Sequence, residues 1–264
     1  MDDLVSIITP SYNCGRFVAE TIRSVQAQTY SNWEMLFVDD CSTDDTENIV
    51  KSFKDPRIHF FKNEKNSGAA VSRNWALREA KGRWIAFLDS DDLWMPEKLE
   101  HQIRFMEEND YHFTCTSRIA IDENSKPLGL RIKSPRHITK KMMWRYCWVG
   151  CLTVMYDAKV MGCIQIVDIK KNNDYAIWLK AIMKSDCYSL DEVLACYRRR
   201  TKSISRNANV SKFRQYLKLI KWHYILFRES ENLSVISSCY CTLRNILWGQ
   251  IKKMKTVEKY DVLK

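Results

Sequence analysis

The chain has 264 residues, 45% of them hydrophobic, and a formal net charge of +10, and this length suits one large α/β domain or two small ones. No apolar stretch approaches the roughly 18 residues of a membrane-spanning helix, and Met1-Asp2-Asp3 runs straight into a strand-like segment, so we expect no secretory signal. The ten cysteines are scattered without a C-x-x-C pair, which disfavours a zinc site and predicts reduced thiols, including Cys115 and Cys163, in the core of a cytoplasmic protein.

The positive charge is concentrated in the last quarter of the chain. Residues 198–264 contain 16 Lys and Arg against 4 Asp and Glu, whereas residues 1–197 contain 26 against 28. A nearly neutral body with a basic end is typical of a protein that carries a surface-binding tail.

Strand-like and helix-like segments alternate from the start of the chain to Asn109. The predicted strands are 4–9, 33–38, 57–61 and 85–88, and the predicted helices are 16–28, a segment ending at 53, 69–80 and 96–109. This alternation predicts a parallel sheet with right-handed crossovers. Polar residues follow three of the strands, at 9–13, 39–40 and 89–92. Because the carboxyl ends of parallel strands meet at one edge, where open α/β folds bind ligands, we expect a site there.

The strand at 85–88 ends on three carboxylates, those of Asp89, Asp91 and Asp92. Unpaired carboxylates are too costly in a dry core, so we expect the cluster at the lip of the sheet. Close carboxylates repel one another unless a cation lies between them, and a set of oxygen ligands favours Mg²⁺ or Mn²⁺ over zinc. The alternative is an acidic loop that caps the helix near Pro96. That role suits Asp92 but does not explain Asp89 and Asp91.

Four motifs in this part of the chain resemble those of the family 2 glycosyltransferases. They stand in the family's order and are Thr9-Pro10-Ser11-Tyr12-Asn13, Val38-Asp39-Asp40-Cys41-Ser42-Thr43-Asp44, Asn66-Ser67-Gly68-Ala69-Ala70-Val71-Ser72-Arg73-Asn74 and Phe87-Leu88-Asp89-Ser90-Asp91-Asp92. The resemblance implies the GT-A fold, an α/β architecture with a Rossmann-like, mostly parallel sheet flanked by helices. It also implies a bound nucleotide-sugar, usually a UDP-sugar.

The resemblance assigns the uracil ring to Asp40, together with Thr9 and Tyr12. A carboxylate suits this role because uracil N3–H is a donor and an ionised carboxylate only accepts. The family more often has Gly at the position of Cys41, a departure that changes little of this assignment.

The resemblance also implies how the rest of the donor is held. It places Arg73 near the nucleotide and its phosphates. Asp89-Ser90-Asp91 corresponds to the D-x-D motif, in which Asp91 binds the divalent metal, Mn²⁺ or Mg²⁺, while Asp89 and Ser90 bind nearer the ribose and the sugar.

A second polar segment, Lys171–Leu179, opens a helix. By itself it predicts that Asn173 or Asp174 is the N-cap. The resemblance instead makes Asp174 the general base that takes the proton of the acceptor hydroxyl. The family commonly has Glu before this Asp, where this chain has Asn173. An inverting transferase needs only one base, and an amide cannot serve as one.

The middle of the chain is expected to form the acceptor side. We predict strands at 113–121 and 151–156, and a polar, basic loop at 124–138 over the acceptor. The aromatic run 144–148 suits sugar rings but is more typical of core packing.

The segment 194–205 also resembles the family. Its basic groups would reach the diphosphate as a flexible lid. The alternative, for Arg199 and Arg200, is a solvated basic loop.

Two basic amphipathic helices are predicted near the end of the chain, at 211–228 and around 243–255. Apolar residues of the first recur every three or four positions, while Arg214, Lys218 and Lys221 share another face. Such helices commonly lie on anionic membrane surfaces. The alternative is that their apolar faces pack on the catalytic domain. No nucleic-acid motif accompanies the charge, so nucleic acid is not an expected partner.

We therefore predict an inverting hexosyltransferase that moves a hexose from a UDP-sugar to a hydroxyl of a lipid-linked (polyprenyl diphosphate) glycan in bacterial O-antigen, capsule or related polysaccharide synthesis. It would comprise a nucleotide-sugar-binding half (1–109), an acceptor-binding half (110–205) and a basic helical C-terminal region (206–264). It would be cytoplasmic and peripheral on the inner face of the cytoplasmic membrane, and its oligomeric state stays open. The alternatives are a metal-dependent nucleotidyltransferase, which would release pyrophosphate, and a non-catalytic nucleotide-sugar-binding protein.

Overall fold

The computed structural model describes residues 3–200 and 212–260, with the backbone alone at 212 and 250–255. In this part of the chain the strands are β1 (Val5–Ser11), β2 (Trp33–Asp39), β3 (Ile58–Lys62), β4 (Trp84–Phe87), β5 (Leu93–Trp94), β6 (Phe113–Ile121), β7 (Pro127–Ile132), β8 (His137–Ile138), β9 (Met155–Asp157), β10 (Cys187–Arg198) and β11 (Val257–Lys259). The α-helices are α1 (Val18–Gln26), α2 (Thr46–Ser52), α3 (Ala69–Glu79), α4 (Lys98–Asn109), α5 (Lys140–Arg145), α6 (Ala158–Met161), α7 (Asn173–Ala181), α8 (Lys212–Ile225) and α9 (Val235–Thr256). A 3₁₀ turn spans Cys151–Thr153, and a π-helical turn spans Leu226–Ser230.

The first part of the sheet is parallel and has the order β3-β2-β1-β4. Strands β1 and β2 are buried along their whole length, as expected of parallel strands covered on both faces. Successive side chains of β1 point to opposite faces, since Ile8 packs in one hydrophobic cluster with α3 and Ile7 in the other with α1 and α4. The predicted α/β sheet flanked by helices is thus confirmed.

The second part of the sheet adds mainly antiparallel strands. Strand β9 pairs antiparallel with β4 and β6, and β7 pairs antiparallel with β6, whereas β10 runs parallel to β6. The predicted loop at 124–138 is therefore wrong, because it contains β7 and β8. Strand β7 is partly exposed and is held by backbone pairing with β6 and β11, so it has no continuous apolar run that would mark it. The predicted strand at 151–156 is wrong in its first half, which forms the 3₁₀ turn.

The C-terminal region packs on the rest of the protein along part of its surface. Phe227, in the π-helical turn, is fully buried, and its ring lies 6.1 Å from that of Trp144 and 6.4 Å from that of Tyr175. The Asn245 amide of α9 donates to the Tyr175 hydroxyl at 2.8 Å, and this hydroxyl donates to the Met143 carbonyl at 2.6 Å. Helix α9 is thereby fixed to both α5 and α7.

The predicted helical C-terminal extension is confirmed as α8, the π-helical turn and α9, while its ends at 206–211 and 261–264, and residues 201–205 of the predicted lid, lie outside the described residues. Among the residues that the structure describes, no helix is both long and apolar enough to cross a membrane. Most of α8 is exposed, including Phe213 at 70%. The C-terminal region therefore packs on the rest of the protein along one side only. The division at 110 and 206 stays a prediction.

All ten cysteines are free thiols. Cys115 is buried as predicted, but Cys163 is exposed, so its placement in the core is wrong. Its apolar neighbour Ile164 is the residue that turns inward, at 3% exposure.

Candidate active site

The acidic cluster after β4 divides into an accessible and a buried part. Asp89 and Asp91 are partly exposed, whereas Asp92 is 2% exposed. Asp92 Oδ1 accepts from the backbone N–H of Arg198 at 2.8 Å, and the N-cap residue of α4 is Glu97, with no side-chain cap bond. The predicted capping role of Asp92 is therefore wrong. Its carboxyl anchors the end of β10, and burial, with the nearby charges of Asp91 and Asp89, raises its pKa.

Arg198 binds the backbone of the acidic cluster from its buried side. Its side chain is fully buried, with Nε donating to the Asp91 carbonyl at 2.7 Å and Nη2 paired with Glu20 at 2.9 Å. The Ser90 carbonyl in turn accepts from the Thr21 hydroxyl at 3.0 Å. Arg198 is thus a structural anchor, and its predicted place in a flexible lid is wrong.

Arg73 joins the acidic cluster to the start of α7. Its side chain is 6% exposed, and Nη2 pairs with Asp89 Oδ1 at 2.5 Å and lies 3.7 Å from Cys151 Sγ. Nη1 donates to the Asn173 side-chain oxygen, 100 positions further along the chain. Burial opposes the charge of Arg73, but Asp89, Cys151 and Asp174 outweigh it and raise the Arg73 pKa. The guanidinium therefore stays protonated, and it links the acidic cluster after β4 to the first turn of α7.

Asp174 lies in the first turn of α7 and is partly exposed. The N-cap is Asn172, in the left-handed region at φ 58°, and no side chain caps the helix. The prediction that Asn173 or Asp174 is the N-cap is therefore wrong. Asn173 binds Arg73 instead, and Asp174 Oδ1 accepts from the Tyr175 N–H at 2.8 Å.

Asp40 organises the loop that leads into α3. Its carboxylate accepts from the Asn63 amide at 2.7 Å, from the Ser67 N–H at 2.8 Å and from the Gly68 N–H at 2.7 Å. Gly68 has φ 93°, a conformation that favours glycine. Three of roughly four acceptor positions of the carboxylate are thus used, and the loop that they fix starts the helix bearing Arg73.

Thr9 lies near the carboxyl end of β1 and Tyr12 directly follows it, next to the end of β2 that leads to Asp40. The Asp40 N–H donates to the Ser11 carbonyl at 2.7 Å. Thr9 is fully buried, and its hydroxyl has no hydrogen-bond partner among the described residues. Tyr12 is 44% exposed. The structure brings these three predicted uracil-binding residues to one edge of the sheet.

Arg200 contacts the predicted metal ligand, a contact that sequence reasoning missed. Its Nη1 lies 3.1 Å from Asp91 Oδ2, and its side chain is 25% exposed. The solvated-loop alternative is therefore wrong for Arg200. Burial and the like charge of Asp89 raise the Asp91 pKa, against the opposing effect of Arg200. The apolar run 193–197 directly before Arg198 is the sequence signal that could have revealed the strand and its basic end.

The residues at this edge fit a divalent cation that the donor would help to bind. Of the three carboxylates of the acidic cluster, Asp89 and Asp91 are the accessible ones, and Asp89 is already paired with Arg73. The described residues contain no cluster of three or more His, Cys, Asp or Glu side chains arranged for an ion. Mg²⁺ and Mn²⁺ nevertheless need only one or two carboxylates when substrate phosphates and water complete their coordination. The roles assigned to all these side chains stay predictions.

Comparison with known proteins agrees with the motifs. The family model described as Glycosyl transferase family 2 matches residues 6–156. TuaG of Bacillus subtilis (strain 168), named for teichuronic acid biosynthesis as a glycosyltransferase, is 41% identical over 241 residues, 90% of this chain and 92% of the relative. WfgD of Escherichia coli, named as a UDP-Glc:alpha-D-GlcNAc-diphosphoundecaprenol beta-1,3-glucosyltransferase, is 41% identical over 210 residues, 78% of this chain and 82% of the relative.

The fold is shared with a solved structure of low sequence identity. Residues 1–349 of S. aureus TarS, in complex with UDP-GlcNAc, superimpose with a TM-score of 0.67 at 21% identity, over 90% of this chain and 70% of that one. The GT-A fold predicted from the four motifs is thereby confirmed.

Proposed function

This chain belongs to glycosyl transferase family 2, as its motifs predicted, and from this premise we propose that it moves a hexose from a UDP-sugar to a hydroxyl of a lipid-linked glycan. The names of WfgD and TuaG support a UDP-sugar donor, a polyprenyl diphosphate acceptor and a place in surface-polysaccharide synthesis. Family membership favours sugar transfer over nucleotidyl transfer.

The observation that carries the proposal is the contact of Arg73 with both Asp89 and Asn173. Asp89 follows β4 at the proposed donor-binding edge of the sheet, and Asn173 immediately precedes Asp174. A single buried cation thus links the two groups that a direct displacement needs, a donor-binding edge and a base. Neither motif alone would support a reaction.

The reaction that fits this arrangement is a single displacement with inversion at the sugar. Asp174 accepts the proton of the acceptor hydroxyl, and that oxygen forms a bond to C1 of the donor sugar. The bond between C1 and the diphosphate oxygen breaks, and UDP leaves with the electron pair. Arg73 orients the Asp89 carboxylate and, through Asn173, the first turn of α7, so that base and donor keep a fixed separation.

Donor binding is proposed for the residues around Asp40. Thr9, Tyr12 and Asp40 hold the uracil, with the remaining acceptor position of the Asp40 carboxylate directed to N3–H. Arg73, Asp89 and Ser90 hold the phosphate, ribose and sugar part. The first set lies at the ends of β1 and β2, and the second comprises Arg73 of α3 and the two residues that follow β4.

A divalent metal, Mn²⁺ or Mg²⁺, is proposed as the cofactor, with Asp91 as its protein ligand. When bound, the metal offsets the negative charge of the departing diphosphate. Asp91 holds Arg200 in the described structure, so this carboxylate already attracts a cation. Arg200 is then available to the diphosphate itself.

Attachment to an anionic membrane surface is proposed for the C-terminal region, on the inner face of the cytoplasmic membrane. Arg214, Lys218 and Lys221 of α8 are exposed, as are the apolar side chains of Phe213 and Leu217 on the same helix. Exposed basic and apolar residues on one helix are typical of segments that lie at the bilayer surface.

The experiment that tests the function measures UDP release in a coupled assay. UDP-glucose and other UDP-hexoses would be offered with a GlcNAc-diphosphate-lipid acceptor and Mn²⁺. We expect UDP release that depends on the acceptor and a product one hexose larger by mass spectrometry. Release of pyrophosphate would indicate a nucleotidyltransferase. Binding of UDP-sugars without any product would indicate a non-catalytic protein.

A further inference from the structure

A cavity of about 360 Å³ lies between α5, α9 and the segment that follows β7. Its walls are largely apolar and aromatic, and the side chains that form them are Pro135, Met142, Trp148 and Trp248. A mostly apolar cavity of a few hundred Å³ with a few polar groups is the usual form of a ligand site.

Two basic side chains line this cavity, and they differ in their partners. Lys133 forms an ion pair with Glu258. The Arg145 guanidinium instead lies over the Trp248 ring, 5.2 Å from its centroid, and no carboxylate of the described residues pairs with it. An arginine held against an aromatic face keeps its in-plane N–H groups available for an anion. The cavity therefore suits a ligand that is apolar along most of its length and anionic at one end.

The cavity lies close to the candidate active site. Trp148 is three residues before Cys151, whose Sγ is 3.7 Å from Arg73 Nη2, and three residues span at most about 10 Å. Gly150 lies between them, and a Cβ at this position would collide with the Arg118 guanidinium. A second arginine is thus packed along the path from the cavity to the active site.

The cavity walls are fixed to the helix that carries the proposed base. Tyr175, next to Asp174, donates to the Met143 carbonyl of α5 and accepts from Asn245 of α9. All cavity-lining residues lie after position 132, whereas the motifs proposed to bind the donor end at 92. Position in the chain and in space therefore both assign the cavity to the acceptor rather than to the nucleotide-sugar.

We propose that this cavity binds the isoprenyl diphosphate end of the lipid-linked acceptor, with Arg145 on the diphosphate and Trp148 and Trp248 against the first isoprene units. The proposal rests on the function proposed above and names the acceptor subsite. The sugar attached to the diphosphate then points along Gly150 and Cys151 toward Asp174. The rest of the lipid leaves along α9, where Leu243 and Leu247 are 61% and 68% exposed.

The test measures binding, without turnover, by titration calorimetry of the full chain. Farnesyl diphosphate serves as the probe, because it has the isoprenyl and diphosphate groups but no sugar. We expect Arg145→Gln to weaken binding by about tenfold or more, since a hydrogen bond to a charged group is lost. Trp248→Leu, which keeps an apolar side chain, should weaken it as well and serves as the second variant. Far-ultraviolet circular dichroism checks that each variant is folded.

The matched control is Arg23→Gln, which removes an exposed arginine that lies 5.9 Å from the Phe53 ring centroid on another surface. Its affinity for farnesyl diphosphate should equal that of the wild type, and inorganic pyrophosphate and farnesol should each bind at least about tenfold more weakly. Displacement of the probe by UDP with Mn²⁺ would place it in the donor site and overturn the proposal. Equal affinity in the wild type and Arg145→Gln, or for pyrophosphate and the probe, would overturn it too.

Turnover then separates the two proposals. If farnesyl diphosphate binds as expected but no UDP-hexose yields a product, the transferase function fails and the cavity assignment stands. If transfer to a lipid-diphosphate acceptor proceeds with the same KM in Arg145→Gln and wild type, the cavity assignment fails and the function stands.

Discussion

The donor half and the C-terminal region differ in the apolar surface that they leave exposed. Within residues 3–109, Tyr12 is the one exposed large apolar side chain, and it lies at the proposed uracil site. Within the described residues 212–260 there are nine, namely Phe213, Tyr216, Leu217, Leu219, Val235, Ile236, Tyr240, Leu243 and Leu247. Contiguous exposed apolar surface marks a place of interaction. The half proposed to bind the nucleotide-sugar leaves little apolar surface exposed, whereas the region proposed to meet a lipid leaves much.

The sharpest test of the donor half is Asp91→Ala. It should abolish both transfer and Mn²⁺-dependent UDP binding, because it removes the proposed oxygen ligand of the ion that would hold the diphosphate. UDP binding with and without Mn²⁺ would be measured by calorimetry. Glu97→Ala, an exposed acid at the start of α4, is the control and should behave as the wild type. Near-normal transfer in EDTA would show that the acidic cluster is not a metal site.

Asp174→Asn should lower transfer by roughly two to four orders of magnitude, because the amide cannot accept the acceptor's proton. UDP-sugar affinity should be retained, since the donor residues are untouched. Turnover and affinity would be measured on the same preparation, with the exposed Asp168→Asn as control. Loss of folding or of donor affinity in Asp174→Asn would mean that the role of Asp174 is structural.

The regions of the molecule also differ in how much of their structure could be predicted from the sequence. Strands β1, β2 and β4 and their helices were predictable because each has a local apolar pattern, and the polar strand ends follow from that pattern. Strand β10 pairs with the distant β6, and β7 forms a hairpin with β6 through partly exposed residues, so the local patterns did not reveal them fully. The Arg73–Asn173 contact joins positions 100 residues apart, and no spacing rule could place it. Arg200 was recognised as basic, but its partner Asp91 required the fold.

Phe227→Ala tests whether packing of the C-terminal region contributes to the stability of the folded protein. It should lower the free energy of unfolding by about 3–5 kcal/mol, because it opens a cavity where a fully buried ring packs on Trp144 and Tyr175. Phe213→Ala, at a ring that is 70% exposed, should change it by no more than about 0.5 kcal/mol. Urea denaturation of both variants gives the values. Similar losses in the two would mean that the region is not divided into a packed and an exposed side.

Neutralising the exposed basic residues of α8 should have the smallest effect on the protein. This change tests whether the exposed side of the C-terminal region contacts an anionic membrane. Each Lys or Arg near an anionic bilayer contributes about 1 kcal/mol, so Gln at 214, 218 and 221 should weaken binding to phosphatidylglycerol vesicles by at most about 3 kcal/mol. Gln at the exposed Lys54, Lys81 and Arg104 is the matched control. Transfer to a short soluble acceptor should persist in both triple variants, and transfer to a long-chain lipid acceptor should fall only in the first. Unchanged, salt-insensitive vesicle binding would mean that the charges of α8 are merely solvated. The exposed apolar side chains of α9 would then be the remaining support for a membrane-facing C-terminal region.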